Sequence, residues 1–219
     1  MTKKADQNIQ VDIVSDIVCP WCWLGARYFH QAAKQSEHKV QLTWRPYMLD
    51  PNVREGGMNY AEYMRAKFGG GSSDKFKPMR DHLEQAAPQV GITFKFDDIP
   101  MRPNTLNAHR LMHWASGQGL ATEASEALFA AFFDRLEDVG APGVLAEIAG
   151  DIGLDKSLVA ELLASDKDKA KVNDEITYFR SLGVSGVPTF IYQGQFAVQG
   201  AQPVEVHVDA MEKAASLIS

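Results

Sequence analysis

The spacing of apolar positions changes character along the chain. Residues Ile9 to Asp16 alternate apolar and polar side chains and are rich in β-branched residues, which predicts a strand. From Trp23, the positions Leu24, Ala26, Tyr28, Phe29, Ala32 and Ala33 fit a helix that is apolar over most of its girth, until Lys34 to Lys39 turns polar. Val40 to Tyr47 predicts a second strand, so the chain opens β-α-β.

The middle of the chain predicts helices. Phe76, Met79, Leu83, Ala86, Ala87 and Val90 recur at helical spacing, as do Ala108, Leu111, Met112 and Ala115, then Ala124, Ala127, Leu128, Ala131 and Phe132. Leu145, Ile148, Ala149 and Ile152 continue the series, and Val159, Leu162 and Leu163 follow Asp155, a residue suited to cap a helix N-terminus. Within this block Ile92 to Phe96 reads as a strand. After a helix through Val172, Ile176 and Phe179 the alternation returns. Thr189 to Gln193 and Gln195 to Gln199, broken at Gly194, predict a hairpin, and Val204 to Ile218 a closing helix. The predicted order is β-α-β, a helical block, then α-β-β-α.

Composition narrows the classes. The 219 residues carry 22 Lys+Arg against 28 Asp+Glu, a formal charge of −6. A reader of phosphate backbones needs a basic surface, so nucleic acid is not an expected partner. With 45% hydrophobic and 23% charged residues the make-up is that of a globular protein, and no long apolar run predicts a membrane span. Neither an apolar stretch nor a small-residue cleavage site follows Met1-Thr2-Lys3-Lys4, so the expected location is cytoplasmic.

Cys19 and Cys22 are the 2 cysteines of the chain, too few for a disulfide-stapled secreted scaffold. At i and i+3 of a helix two side chains share a face, with Cα atoms about 5 Å apart, inside the roughly 4.4 to 6.8 Å window of a disulfide. With Cys19 at the N-cap, Pro20 falls on the first helical position, where its fixed φ fits and its missing N–H is not needed. The amides of Trp21 and Cys22 then aim at the Cys19 sulfur and, with the helix dipole, favour its thiolate. Cys19 is the expected attacking sulfur and Cys22 the resolving one. A closed zinc site needs four ligands, and no second cysteine pair is present. His109 and His113 stand four apart, but Arg110 occupies the place where a zinc-protease pattern carries Glu, so no metal is expected. Two inert thiols are the plain alternative.

Val11-Asp12-Ile13-Val14-Ser15-Asp16, running into Cys19-Pro20-Trp21-Cys22-Trp23-Leu24-Gly25, resembles the opening of the DsbA-like thiol-disulfide oxidoreductases of the FrnE subfamily. Trp44-Arg45-Pro46-Tyr47, Asn104-Thr105-Leu106-Asn107-Ala108-His109-Arg110 and Gly183-Val184-Ser185-Gly186-Val187-Pro188-Thr189-Phe190 match in order, so the resemblance spans nearly the whole chain. It implies an α/β fold, a thioredoxin domain interrupted by an all-helical insertion. Residues 1–56 and 168–219 are assigned to the discontinuous thioredoxin-like domain and 57–167 to the insertion. The resemblance also gives Pro188 the role of a cis proline opposite the cysteine pair, with Val187 offering backbone groups to an extended substrate. Trp21, between the cysteines, is expected to be exposed and to touch substrate, whereas Trp23 is expected to pack under the sheet. Asn104, His109 and Arg45 are further pocket candidates. Each has a plainer reading: Asn104 caps the next helix, His109 packs like His113, and Arg45 completes a charge pair near the end of the second strand.

The activity implied is exchange of the Cys19/Cys22 dithiol or disulfide with protein, peptide or small-molecule disulfides. The redox-active cysteine pair takes the place of a bound cofactor, and glutathione is a candidate co-substrate. Some members of the family carry a second cysteine pair near the C-terminus. Its absence here means that an outside thiol, glutathione or a thioredoxin-type partner, completes each cycle. A homodimer is compatible with this reading, and neither membrane nor metal enters it. Two other classes stay open. The 2-hydroxychromene-2-carboxylate isomerases and kappa-type glutathione transferases resemble the fold but typically carry serine in place of the reactive cysteine. A non-catalytic, client-binding protein would keep its function without either cysteine.

Overall fold

The computed structural model describes residues 8–70 and 74–218; the leader reading of the first residues falls on positions 1–7, outside them. Strand β1 (Asn8–Ser15) lies at the centre. Its Ile9, Val11 and Ile13 are buried on one face, as the alternation predicts. β1 pairs in parallel with β2 (Lys39–Pro46) and antiparallel with β5 (Thr189–Tyr192), which turns antiparallel into β6 (Phe196–Gln199), so the sheet runs β2-β1-β5-β6. A parallel pair needs a crossover, and α1 (Pro20–Gln35) supplies it. Ile9, Val11 and Ile13 share one core with Phe29 of α1 and Met211 of α9 (Val204–Ser216). On the opposite face Val14 meets Tyr47, Val184 and Phe179, the last from α8 (Lys169–Ser181). Covered on both sides, β1 is fixed in register, and Val14 stands opposite Thr189. That pairing sets the residues just before Thr189 beside the end of β1, where the cysteine motif begins.

Between β2 and α8 the chain forms α2 (Tyr60–Phe68), α3 (Lys77–Ala86), α4 (Leu106–Gly117), α5 (Ala121–Phe133), α6 (Pro142–Asp151) and α7 (Lys156–Leu163). The architecture is a thioredoxin fold with a helical insertion. Asp155 caps α7 as expected, accepting from the Leu158 amide at 3.0 Å. Trp23 is buried in the core it shares with the sheet, and its ring and hydrogen-bond partners come from the insertion. It stacks on Phe129 and Phe133 of α5, meets Phe94 edge-on, and donates from Nε1 to Glu126 at 3.0 Å.

Three local features depart from the pattern. Ile92 to Phe96 buries Ile92 and Phe96 alternately, yet it pairs with no strand. Its side chains enter the aromatic cluster, and the Lys95 amide donates to the Phe133 carbonyl at 3.0 Å, so alternation here reports packing rather than a ladder. The insertion is not purely helical, because β3 (Met58–Asn59) and β4 (Met101–Arg102) form a short antiparallel ladder. Helix α2 was not expected. Tyr63 is its one buried residue, too little for a periodic apolar signal; the signal present was local, the Asn59 side chain accepting from the Glu62 amide at 3.0 Å. Among the described residues no helix is long and apolar enough to cross a membrane.

His207 of α9 has no exposed surface; its Nδ1 lies 2.7 Å from the Tyr192 hydroxyl, and the rings of Phe29 and Phe190 meet it edge-on. Burial pushes its imidazole down to about 4 from an ordinary 6.5. The unfolded chain binds the extra proton first, so this contribution to stability is complete above pH 6.5 and is lost as pH falls towards 4. Denaturant unfolding should show about 2 kcal/mol less stability at pH 5 than at pH 7 from this group. A His207→Leu variant should lack that difference; an equal pH dependence in both proteins would reject the assignment.

Candidate active site

β1 ends at Ser15, and the chain turns through Asp16 to Val18, with the Cys19 amide donating to the Asp16 carbonyl at 3.0 Å. Cys19 is the N-cap of α1, with φ −100° and ψ 112°, and Pro20 occupies the first turn. The sulfur does not cap the helix as expected. The Cys22 amide instead donates to the Cys19 backbone carbonyl at 3.0 Å, which closes the first turn and leaves that N–H committed. The Cys19 sulfur faces Val187, donating to its carbonyl at 3.6 Å. Both cysteines are free thiols, and Cys22, one turn into the helix, is fully buried.

The Val187–Pro188 peptide bond is cis. The proline ring lies against Gly25, one turn beyond Cys22. A β-carbon at position 25 would stand 3.0 Å from the Pro188 ring and 3.2 Å from the Ala201 Cα, so glycine lets the loop before β5 close onto α1.

Cys19 opens on a cavity of about 220 Å³. Val18, Pro20 and Trp21 line it from the start of α1, Gly186 and Val187 from the loop before β5, and Tyr60, Tyr63, Met64, Lys67 and Phe68 from α2. Phe76, Met79, Leu49 and Arg102 complete the walls. The lining is mainly aromatic and thioether, with its charges gathered at one place. There Arg102, almost wholly buried, donates to the Val18 carbonyl at 3.1 Å and to Asp50 at 2.8 Å, and lies 4.9 Å from the centre of the Tyr63 ring. Asp16, buried behind the motif, accepts from the Leu49 amide at 2.8 Å and stands 3.5 Å from His109 Nε2 and 3.9 Å from Arg102. Burial alone would raise the Asp16 carboxyl; His109, Arg102 and the Leu49 amide outweigh it and hold the group below the usual carboxylate range.

Burial pushes the Cys22 thiol well up, and the neighbouring Cys19 sulfur pushes it further, against smaller lowering contributions from Ser15 and the Asp16 amide. Reduced protein treated briefly with iodoacetamide at pH 8 should therefore take label at Cys19 and leave Cys22 a thiol. Peptide mapping reads this directly, and equal labelling of the two would contradict the assignment.

Of the residues singled out in the sequence, the structure brings together Cys19, Cys22, Pro20, Trp21, Val187 and Pro188. Trp21 is half-buried rather than exposed, with its ring 5.4 Å from that of His82. Arg45, His109 and Asn104 do not line the cysteine cavity. Arg45 is held by Asp12 at 2.7 Å and Glu175 at 2.8 Å, and it shares a separate small cavity with His109. His109 Nε2 lies 2.8 Å from the Tyr47 carbonyl, which ties α4 to the end of β2. Asn104 accepts from the Leu106 amide at 3.0 Å from one place before the N-cap Thr105, and donates to the Val53 carbonyl at 2.6 Å. Each of the three is satisfied by a structural partner. Sequence reasoning missed Tyr63, Lys67 and Asp50, because α2 was missed, and Arg102, because a charge that becomes buried against a residue 84 positions away leaves no local signature. Among the described residues no group of three or more His, Cys, Asp or Glu side chains is placed to hold a metal ion.

Compared with known proteins, residues 10–212 match the model of the DSBA-like thioredoxin domain family. The crystal structure of a probable DsbA oxidoreductase from Streptomyces coelicolor is 29% identical, with a TM-score of 0.87 over 95% of this chain and 90% of that one. A 2-hydroxychromene-2-carboxylate isomerase is 18% identical, with a TM-score of 0.70 over 93% of this chain and 95% of that one. The cytosolic disulfide reductase DsbM from Pseudomonas aeruginosa, in a structure with GSH, is 16% identical, with a TM-score of 0.62 over 95% of this chain and 96% of that one. At such low identity the last two show a shared fold.

Proposed function

Because the chain belongs to the DSBA-like thioredoxin domain family, we propose that it is a thiol-disulfide oxidoreductase acting through Cys19 and Cys22 on disulfides of peptides, proteins or small thiols. One observation carries the reading: the Cys19 thiol stands at the head of α1 beside the Val187 carbonyl, over a cavity, with a second, buried thiol one turn behind it. Cys19, as thiolate, attacks one sulfur of a substrate RS–SR′. A bond from Cys19 to RS forms as the S–S bond breaks, and R′S⁻ leaves and takes a proton. Cys22 then loses its proton and attacks the Cys19 sulfur, which releases RS⁻ and closes a Cys19–Cys22 disulfide. Two electrons pass from the protein to the substrate.

An outside dithiol, or two molecules of glutathione, restores the reduced pair by the same steps reversed. The pair itself is the redox group, and a thioredoxin-type protein is the alternative external donor. The potential of that partner sets the direction of net flow. Val187, whose backbone flanks the Cys19 sulfur, and Trp21 are the groups placed to meet an extended substrate. A cytoplasmic setting fits a pair that depends on reduced glutathione. The isomerase reading draws on fold alone, and the dithiol favours exchange over it.

The test is catalysis. The purified protein should accelerate the reduction of bis(2-hydroxyethyl) disulfide by dithiothreitol, and that of insulin to a smaller extent. A rate equal to that of dithiothreitol alone with both substrates would remove the reading.

A further inference from the structure

Helix α2 supplies one wall of the cysteine cavity, and its side chains are fastened at one carboxylate. Tyr63 and Lys67 stand one helical turn apart, and both reach Asp50 in the loop after β2. The Tyr63 hydroxyl donates to Oδ2 at 2.5 Å, and Lys67 Nζ donates to Oδ1 at 2.7 Å and to Oδ2 at 2.9 Å. Lys67 also donates to the Tyr63 hydroxyl at 2.8 Å, which uses its third N–H. Arg102 joins from β4, bonded both to Asp50 and to the carbonyl of Val18, the residue before Cys19. The two cations of the cavity are thus committed to Asp50, and the rest of the α2 wall is apolar.

Two further facts bear on access. Cys19 is only 4% exposed, although exchange requires a substrate disulfide to lie in line with its sulfur. The chain enters and leaves α2 through Gly57 and Gly69, at φ +72° and +83°, so each flank turns where glycine adopts the backbone freely.

Taking Cys19 as the nucleophile, as proposed above, we infer that α2 is a size-selecting wall latched by Asp50. It admits low-molecular-weight disulfides and single extended peptide segments to Cys19 and holds back disulfides carried by folded proteins. Asp50 is then a specificity-determining residue that never touches the reacting sulfurs; it acts through Tyr63, Lys67 and Arg102.

The experiment compares exchange of reduced full-length protein with folded insulin and with bis(2-hydroxyethyl) disulfide. The ratio of the two rate constants, protein over small disulfide, should rise about tenfold in Asp50→Asn, which removes the shared carboxylate charge from three partners. It should rise about threefold in Lys67→Gln, which removes one of the two α2 contacts to Asp50 and leaves Tyr63 and Arg102 paired. The second variant keeps the test intact if Asp50→Asn folds poorly by circular dichroism. Ratios within about twofold of wild type, in variants with wild-type spectra, would overturn the latch. If wild type exchanges with neither disulfide, the oxidoreductase reading fails on its own. The latch is then judged by alkylation, as the rate of a polyethylene-glycol maleimide at Cys19 over that of iodoacetamide. That ratio should rise in the same order, and a constant ratio rejects the latch independently.

Discussion

Cys19→Ser is expected to bring disulfide exchange down to the rate of dithiothreitol alone, and Cys22→Ser to trap the substrate as a mixed disulfide. The two thiols are chemically alike but differently placed. Cys19 lines the cavity beside Val187, whereas Cys22 is fully buried with its thiol pushed well up by that burial. A serine hydroxyl at position 19 cannot form the sulfur–sulfur bond of the first step, so nothing is left to start the cycle. Serine at position 22 leaves the first step intact and removes the sulfur that would displace RS⁻. The adduct should then be visible by mass spectrometry after mixing with oxidised glutathione, at a mass larger by one glutathionyl group, and should disappear on adding dithiothreitol. Full exchange activity in Cys19→Ser would move the chemistry elsewhere. A mixed disulfide forming at position 22 in that variant, and not at 19 in the other, would reverse the two roles.

The parts of this site that were legible in the sequence are those in which neighbours along the chain decide the geometry. A β-branched alternating strand ending at a Cys-Pro-x-Cys places the pair at a strand-to-helix junction, because proline at the first helical position and a three-residue spacing suffice for that. The loop before β5 was assigned by resemblance to the same site, and the register of β1 against β5 places it there. The opposite wall was not legible. α2 buries only Tyr63, so its apolar pattern is too thin to announce a helix, and what holds it is Asp50, a residue of another segment. Ile92 to Phe96 errs in the other direction. Its alternation is genuine in burial, but the partner is a cluster of rings, Phe133 of α5, Trp23 of α1 and Phe76, and not a strand, and periodicity reports which side is covered without saying by what. Arg45, His109 and Asn104 were singled out within the segments that carry the resemblance, and the structure gives each an ordinary partner. A polar residue in a recognisable motif can fasten a fold as readily as it can meet a substrate.

Arg110→Met should cost about 3 to 5 kcal/mol of stability and leave the exchange chemistry of the folded protein unchanged. Arg110 has no exposed surface, and its guanidinium serves the turn between α7 and α8. Nε donates to the Lys167 carbonyl at 2.9 Å, Nη2 to those of Leu162 at 2.6 Å and Ser165 at 2.8 Å, and Nη1 to that of Leu163 at 3.4 Å and to the Asn107 side chain at 2.8 Å. Leu162 and Leu163 end α7, so two of these carbonyls are last-turn groups at the negative end of its dipole, and that of Leu162 also accepts from the Ser165 amide and hydroxyl. Methionine keeps most of the apolar stem and removes every donor, so the loss measures the guanidinium's hydrogen bonds and not a cavity. In a chain of this size the unfolding midpoint should fall by roughly 10 °C, followed by circular dichroism. Lysine should recover part of the loss, because one ammonium reaches fewer carbonyls than a planar fork. At 25 °C the exchange rate per folded molecule should match wild type, since Arg110 is absent from the cysteine cavity. A loss of exchange with unchanged stability would give the Asn104-to-Arg110 segment the substrate role that its hydrogen bonds deny it.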